Sequence, residues 1–354
     1  MTIKIAVADL QQFSSTLLQA ADVPKSEADI VAENLVSSNQ RGHDSHGVVR
    51  LTEYVEQLRT GELVTGVELV TVSESPSILA TDAKFGFGMV QAVKLIDRLL
   101  PKGREQGIAC GTMQNCGHVG RLGEWVERVA KAGLAGLMAV NDNGVLQCVA
   151  PPGGTQPRIS TNPIAIAVPT GNQPLVLDIS TSAVANGKLL IKHKADEPCP
   201  PGWLLDANGN PTTDPAVRFR DPRGTILPMG GEQSYKGFGI GLLFDVLVGG
   251  LSGGFCPPAK KSASLTNNVL FVIWNPERFV GSRHFLGEAD RLIEYVRSVR
   301  CKPGVDKIRL SGDRSSQTMQ QRLAEGIPLD KGTWKALVDL ADELSVDFPV
   351  ITGS

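Results

Sequence analysis

In the stretch RGHDSHGVVRLTEYV, residues 41–55, His46, Arg50 and Tyr54 stand four residues apart. On a helix each step of four turns by roughly 400°, so the three side chains point one way in a tilted row. The row offers an imidazole, a planar cation and a phenol, with the imidazole's ordinary pKa near about 6.5. Arginine grips a carboxylate with two parallel hydrogen bonds. A neighbouring imidazole can then move a proton at an adjacent hydroxyl, keto or imine carbon. That chemistry suits a 2-hydroxy or 2-oxo acid. The competing reading is a polar face that only solvates its helix. His43, Asp44 and His46 raise a different possibility, a metal-dependent hydrolase or lyase. A catalytic metal needs three protein ligands. No H-E-x-x-H occurs, and His193 and His284 stand in ordinary contexts. No metal is therefore expected, and His43 is expected to be structural or peripheral.

Two further stretches carry candidate chemistry. In QNCGHVGRLGEWVERV, His118 lies between Gly117 and Gly120, where a strand is expected to turn into a helix. Glycines there allow close approach, and free N–H groups at a helix start can hold an anion. A tight turn with His118 as a satisfied buried imidazole is the alternative. In LVLDISTSAVANGK, Asp178 ends an apolar run and Ser180, Thr181 and Ser182 follow. An acid so placed can orient a histidine or bind ribose hydroxyls, or it is simply an N-cap. The dinucleotide fingerprint G-x-G-x-x-G is absent. KGFGIG comes near it, but no strand clearly precedes it. The phosphate-cradling loop G-x-x-x-x-G-K-[ST] and the G-x-S-x-G elbow are absent too.

The elements that must position these residues read as follows. Residues 8–22 show helical spacing through Leu10, Phe13, Leu17 and Leu18. Ser26 with Asp29 suggests a capping box for a second helix that Gly42 closes. A third helix is expected from about His46 to Leu58, capped by Asp44 or Ser45. GIACGTMQN, GLAGLMAVN, NPIAIAVP, QPLVLDIS and NVLFVIWNP read as strands of one buried sheet, with a helix over residues 118–132. Residues 195–232 read as loop. YKGFGIGLLFDVLVGGLSGG is an apolar helix packed closely on another backbone. Residues 286–300 and 315–346 hold the last helices. Helices, then strands, then mixed elements make this an α+β chain.

Bulk properties narrow the function classes. The chain has 354 residues, 42% hydrophobic and 20% charged, and a formal net charge of −2. This is a globular composition with no electrostatic reason for nucleic acid or a membrane surface as partner. Aromatics at 5% argue against a base-stacking platform. The N-terminus does not read as a signal peptide, and charges or Gly-rich turns break every run before 18 apolar residues, so no span is expected. Six scattered cysteines without a C-x-x-C pair suggest reduced thiols in a cytoplasm.

DSHGVVRLTEYV, GHVGRLGEW, TNPIAIAVP, LDISTSAVANGK, GWLLDANGNPTTDP, YKGFGIGLLFDVLVGGLSGG and RLSGDRSSQTMQQRLAEGIPL occur in that order. Together they resemble the non-Rossmann malate/L-lactate dehydrogenase family, along nearly the whole chain. That family also holds sulfolactate and ureidoglycolate dehydrogenases, diketogulonate reductase, and piperideine- and pyrroline-2-carboxylate reductases. The resemblance implies hydride transfer with NAD or NADP at the carbon next to a carboxylate, on a 2-hydroxy or 2-oxo acid or, alternatively, a cyclic 2-imino acid. It implies a largely antiparallel sheet in a non-Rossmann NAD(P)-binding region over residues 76–280. A helical lobe is expected over 1–75, joined by a returning C-terminal segment, 281–354. A homodimer or larger homo-oligomer is implied. His46 falls on the family's acid/base, oriented by Asp178. Arg50, Tyr54 and His118 fall on substrate positions. His118, Asn162, Asp178, Ile179, Ser180, Thr181, Ser182, Lys236, Gly237, Gly312 and Asp313 fall on cofactor positions. The family's Pro-Gly-Glu stands here as Ser311, Gly312 and Asp313, and its serine-rich segment after Asn141 is DNGVLQCVAPPGG.

Overall fold

The structure, a computed structural model, describes residues 3–348. Its frame is a seven-stranded sheet. In spatial order the strands are Val70–Glu74, Ile78–Asp82, Ile108–Cys116, Asn267–Trp274, Ala135–Asn141, Ile164–Val168 and Leu175–Ile179. Only the pair Ile78–Asp82 with Ile108–Cys116 runs parallel; every other neighbour is antiparallel. The fold is thus α+β on a mixed, largely antiparallel sheet.

The central strand shows why the sheet forms. Val269, Phe271 and Ile273 face one side and belong to the main core, while Leu270 and Val272 face the other. β-branched and aromatic residues fit such a twice-covered strand. The helices Gly88–Gln106 and Leu122–Lys131 cover the first face. Ser234–Ser252 covers the second through Val248, with Asp245 and Gly249 also buried. Gly249 is glycine because a Cβ there would press on the Phe255 backbone.

The helical part is built from Val7–Ala20, Lys25–Gln40 and Leu51–Thr60 at the N-terminus and Lys331–Leu344 near the other end. Leu10, Leu17, Val31, Leu35, Leu51 and Leu337 share the core that also holds the first sheet face. Ile3–Ile5 pairs antiparallel with Ile327–Leu329, so the end of the chain returns to its beginning.

Several local expectations shift. The second helix starts at Lys25 after Pro24, with no side-chain cap; Pro24 fixes the entry instead of a Ser26 box. The third helix starts only at Leu51, after two short 3-10 turns, Asp44–His46 and Val48–Arg50. The helix after His118 starts at Leu122. The stretch 195–232 holds a small sheet of Thr225–Ile226, Leu204–Leu205 and Pro211–Thr212. It covers a second core around Cys148, Ile159, Leu189 and Val217. Gly231–Ser252 is, by length and composition alone, long and apolar enough to cross a membrane, although Glu232, Lys236 and Asp245 interrupt its apolar run as expected. The six cysteines are unpaired.

Phe271 is 1% exposed at the centre of the main core. Phe271→Ala is expected to cost about 3–5 kcal/mol through lost burial and a cavity. A denaturant titration checks this, and an unmoved midpoint would refute the central position of that strand.

Candidate active site

The turn that carries His46 is shaped by Asn39, at the end of the second helix. The Asn39 Oδ1 accepts from Val48 N at 2.8 Å, and its Nδ2 donates to Asp44 Oδ1 at 2.7 Å. Gly47 sits directly on this amide, and a Cβ would overlap it. Gly47 has extended backbone, φ −94° and ψ −156°, which breaks the helix between His46 and Val48. His46, Arg50 and Tyr54 are therefore not one helical row. They still converge, but by folding instead of by period.

His118 arrives from the other side. Gly88 lets the first turn of its helix press on the carbonyls of Gly117 and His118, where a Cβ would clash. Val119 N donates to Asn267 Oδ1 at 3.1 Å, anchoring the loop to the central strand. The His118 and His46 rings then stack with centroids 5.5 Å apart and planes 24° from parallel. The Tyr54 hydroxyl lies 2.7 Å from His118 Nδ1, and Ser45 Oγ lies 3.1 Å from His46 Nδ1. Arg50 Nε donates to the Ser45 carbonyl at 3.0 Å, and its Nη1 to Glu53 at 2.6 Å.

The site is electropositive. Burial, then Arg50, His43, Arg121 and Lys188, lowers His46 to about 3. No carboxylate figures among these influences. Burial, then Arg50 and His46, holds His118 well below its ordinary value. Burial, with Arg121 and Lys188, lowers His43 to about 4 against a smaller opposing effect of Asp44. Burial raises Tyr54, so the phenol stays protonated at neutral pH. Two neutral imidazoles, each touched by a hydroxyl, thus lie beside an arginine. Such a place favours an anion.

Asp178 makes a hydrogen bond other than the one expected. Its Oδ2 accepts from Gly123 N at 2.7 Å, at the start of the helix after His118. Among the described residues no hydrogen bond joins it to His46. Burial raises its pKa, opposed by the Arg121 charge and the Gly123 N–H. Asp178 therefore fixes the His118 loop, and Ser45 is the partner of His46.

The cofactor positions fall in two groups. Asn162 Nδ2 donates to the Gly241 carbonyl at 3.0 Å and to Asp245 Oδ2 at 2.8 Å, which leaves its buried Oδ1 without a partner. A Cβ on Gly237 would meet the backbones of Met229 and Thr181, so the start of the apolar helix touches the segment after Asp178. Ser180 and Ser182 bond to each other at 3.1 Å, and Ile179 packs on the second sheet face. Lys236 is exposed, 5.9 Å from the Tyr235 ring centroid. Gly312, at φ +92°, lies against the Val176 backbone two residues before Asp178. Asp313 is occupied: it accepts from Leu310 N at 2.9 Å and pairs with Arg297 at 3.0 Å.

The metal reading loses its ligands. Among the described residues no group of three or more His, Cys, Asp or Glu is placed to hold a metal ion. Asp44 is instead gripped by Arg322, at 2.6 and 3.1 Å.

Sequence reasoning passed over Lys188, Asn267 and Asp142. Lys188 lies in the first turn of the helix Asn186–Lys194, whose Gly187 packs on Ser45 near Arg50. Its signal was a lone lysine after the glycine of ANGK. Burial raises Asp142 to about 7, with Asp245 adding to the effect and the Ser160 hydroxyl opposing it. Its oxygens have no well-formed hydrogen bond.

Comparison with known proteins places this geometry. Residues 5–338 match the malate/L-lactate dehydrogenase family. Hydroxycarboxylate dehydrogenase B of Escherichia coli K12 is 33% identical, over 95% of this chain and 93% of that one. The structure of malate dehydrogenase from Pyrococcus horikoshii superposes with a TM-score of 0.88 at 30% identity, covering 98% of this chain and 97% of that one. The structure of Δ1-piperideine-2-carboxylate reductase from Pseudomonas syringae gives 0.81 at 28% identity, covering 96% and 99%. The fold and the whole length agree, and the chain belongs to the malate/L-lactate dehydrogenase family.

The depressed histidines set a pH dependence. His43 and His46 titrate near about 4 and 3 when folded, below their ordinary 6.5. As pH falls below 6.5 the unfolded chain takes up protons that the folded chain refuses. Their contribution to stability is present in full above pH 6.5 and is lost through the window down to the folded values. Denaturant titrations from pH 7 to 4 should therefore show a shallower loss in His46→Gln than in the parent chain. Equal slopes would contradict the buried, neutral His46.

Proposed function

We propose that the chain is a nicotinamide-dependent dehydrogenase of a small 2-hydroxy acid, acting in reverse as a 2-oxo acid reductase. The observation that carries this reading is the stacked pair of neutral imidazoles beside Arg50, with no carboxylate among the groups that shift either ring. Arg50 receives the substrate carboxylate, and Lys188 adds to the field that draws it in. The Arg50 charge is the second influence, after burial, holding down both His46 and His118. A bound carboxylate neutralises that charge, so the imidazoles gain proton affinity when substrate enters. The acid appears only once there is an oxygen to protonate.

His46 donates the proton to the carbonyl oxygen during reduction and takes it back during oxidation. His118, held by the neutral Tyr54 hydroxyl, hydrogen-bonds to the same oxygen. The bound nicotinamide supplies the hydride for the carbon. NAD or NADP fits the residues present: the partnerless Asn162 Oδ1 is a free acceptor, Ser180 and Ser182 follow the strand that ends at Ile179, and Gly312 lies against its Val176. A cyclic 2-imino acid is the second reading, supported by the likeness to the piperideine-2-carboxylate reductase.

NADH and NADPH oxidation at 340 nm with pyruvate, oxaloacetate and cyclic imino acids tests the reading. His46→Ala is expected to keep dinucleotide affinity and to lose about 100-fold in turnover, the scale of one general acid. Arg50→Lys should raise KM, because an ammonium cannot reproduce the two-point grip. Near-parental turnover in the first, or an unchanged KM in the second, would refute the roles assigned.

We further propose that a second copy of the chain covers the apolar helix. Leu243, Val246, Leu247 and Leu251 on Ser234–Ser252 are 66, 55, 43 and 57% exposed. A contiguous apolar face of this kind marks an interaction surface. Light scattering should give twice the chain mass or more, and Leu243→Glu with Leu247→Glu should reduce it to a monomer. A monomeric parent at micromolar concentration would reject the assignment.

A further inference from the structure

We infer that Arg322 and Asp44 form a positioning pair that holds the His46 imidazole in register with His118. His46 ends a single 3-10 turn of three residues, closed by His46 N to the His43 carbonyl at 2.9 Å and Gly47 N to the Asp44 carbonyl at 3.1 Å. One such turn is a weak support for a reacting group. The rigidity comes from outside. Arg322 donates from Nη1 to Asp44 Oδ1 at 2.6 Å and from Nη2 to Asp44 Oδ2 at 3.1 Å, a two-point grip only two residues before His46. The same Nη1 also bonds to the Asn39 carbonyl, and Asn39 Nδ2 completes the Asp44 shell. The end of the second helix, the turn itself and a helix 278 positions further on thus meet on one carboxylate.

The helix that carries Arg322 gives the pair its meaning. Asp313–Glu325 buries no residue of its own. Polar ties and close fits hold it: Ser315 Oγ donates to the Arg41 carbonyl, Thr318 lies against Gly42, and Asp313 pairs with Arg297. Arg322 lies on its partly shielded side, with its side chain 17% exposed. The helix starts beside Gly312 against Val176, in the strand that leads to Asp178, and its last turns reach Asp44. A rod of 13 residues, about 20 Å long, therefore joins the proposed dinucleotide end to the turn bearing His46. A two-point pair fixes distance and angle together, which a single contact does not. The inference rests on the proposed reaction for its kinetic readout and on the geometry alone for its spectroscopic one.

The test compares Arg322→Gln, Asp44→Asn, the double variant and Arg322→Lys with the parent chain. Kinetics with a 2-oxo acid, dinucleotide affinity by fluorescence, thermal midpoint, and the His46 imidazole ¹⁵N resonance are read on each. Each single variant should lose about tenfold or more in kcat, within the about 100-fold that a ~1 Å misplacement can cost. KM and dinucleotide Kd should stay within about threefold, the expectation for a group acting on the proton donor alone. The double variant should be no worse than the worse single, as for two halves of one device. Arg322→Lys should recover part of kcat, and the His46 resonance should move in every variant that loses kcat. An unmoved resonance with normal kcat overturns the inference. So do multiplicative losses in the double variant, or a kcat loss that follows KM, Kd and the thermal midpoint together. If the parent turns over no 2-oxo acid, the proposed function fails, and the resonance alone then decides the pair.

Discussion

The strand Asn267–Trp274 enters the sheet between Ile108–Cys116 and Ala135–Asn141, strands made more than a hundred residues earlier in the chain. The remaining architecture depends on that insertion. Its alternating residues supply both faces of the core, so helices must cover both sides. Its first residue, Asn267, ties together segments on either side of it in the sheet. Oδ1 takes the N–H after His118, and Nδ2 donates to the Asn141 carbonyl at 3.3 Å. The same strand that closes the sheet thereby fixes the loop of one imidazole. Asn268 repeats the device from the buried side by bonding to the side chains of Asn141 and Asn143.

Charge organises the site as strongly as packing does. Arg121 is 4% exposed, yet pairs with Glu124 at 2.8 Å and lies 3.7 Å from Glu127. Glu124 in turn accepts from Ser37, and Glu127 from Arg41, so the second helix is fastened to the helix that follows His118. Buried pairs of this kind add little net stability, but removing one partner strands the other. They act as alignment. Arg50, Arg121 and Lys188 all act on His46 and no carboxylate is among the groups that shift it, which leaves the field positive where an acid anion would bind.

Much of the fold was legible in the sequence. Five of the seven sheet strands stood out as apolar runs between Gly, Pro and Asn, because burial on both faces demands continuous hydrophobicity. The other two did not. Val70–Glu74 is exposed along its length, and Ile78–Asp82 (ILATD) has only two large apolar residues, so neither shows a strong pattern. The two-residue strands within 195–232 are set by contacts with the second core and carry no period of their own. The site residues His46, Arg50, Tyr54 and His118 were picked by chemical type, and the structure brings all four together. The reason first given for the first three, a shared helix face, was wrong: Gly47 yields to the Asn39 amide and breaks the helix there.

What the sequence by itself determined is the inventory and the class. Residue types, motif order and apolar runs specify the α+β chain, its family and the imidazole–guanidinium chemistry. These are local properties, written in side chains and short spacings. Only the tertiary structure decided which groups touch. It gave Asp178 to Gly123 instead of His46, gave Asp44 to Arg322, and laid His118 on His46 across 72 positions of sequence. Such pairings are fixed by strand insertion and by the closure of distant loops, whose outcome depends on the whole packed core. No spacing between neighbours in the chain records it.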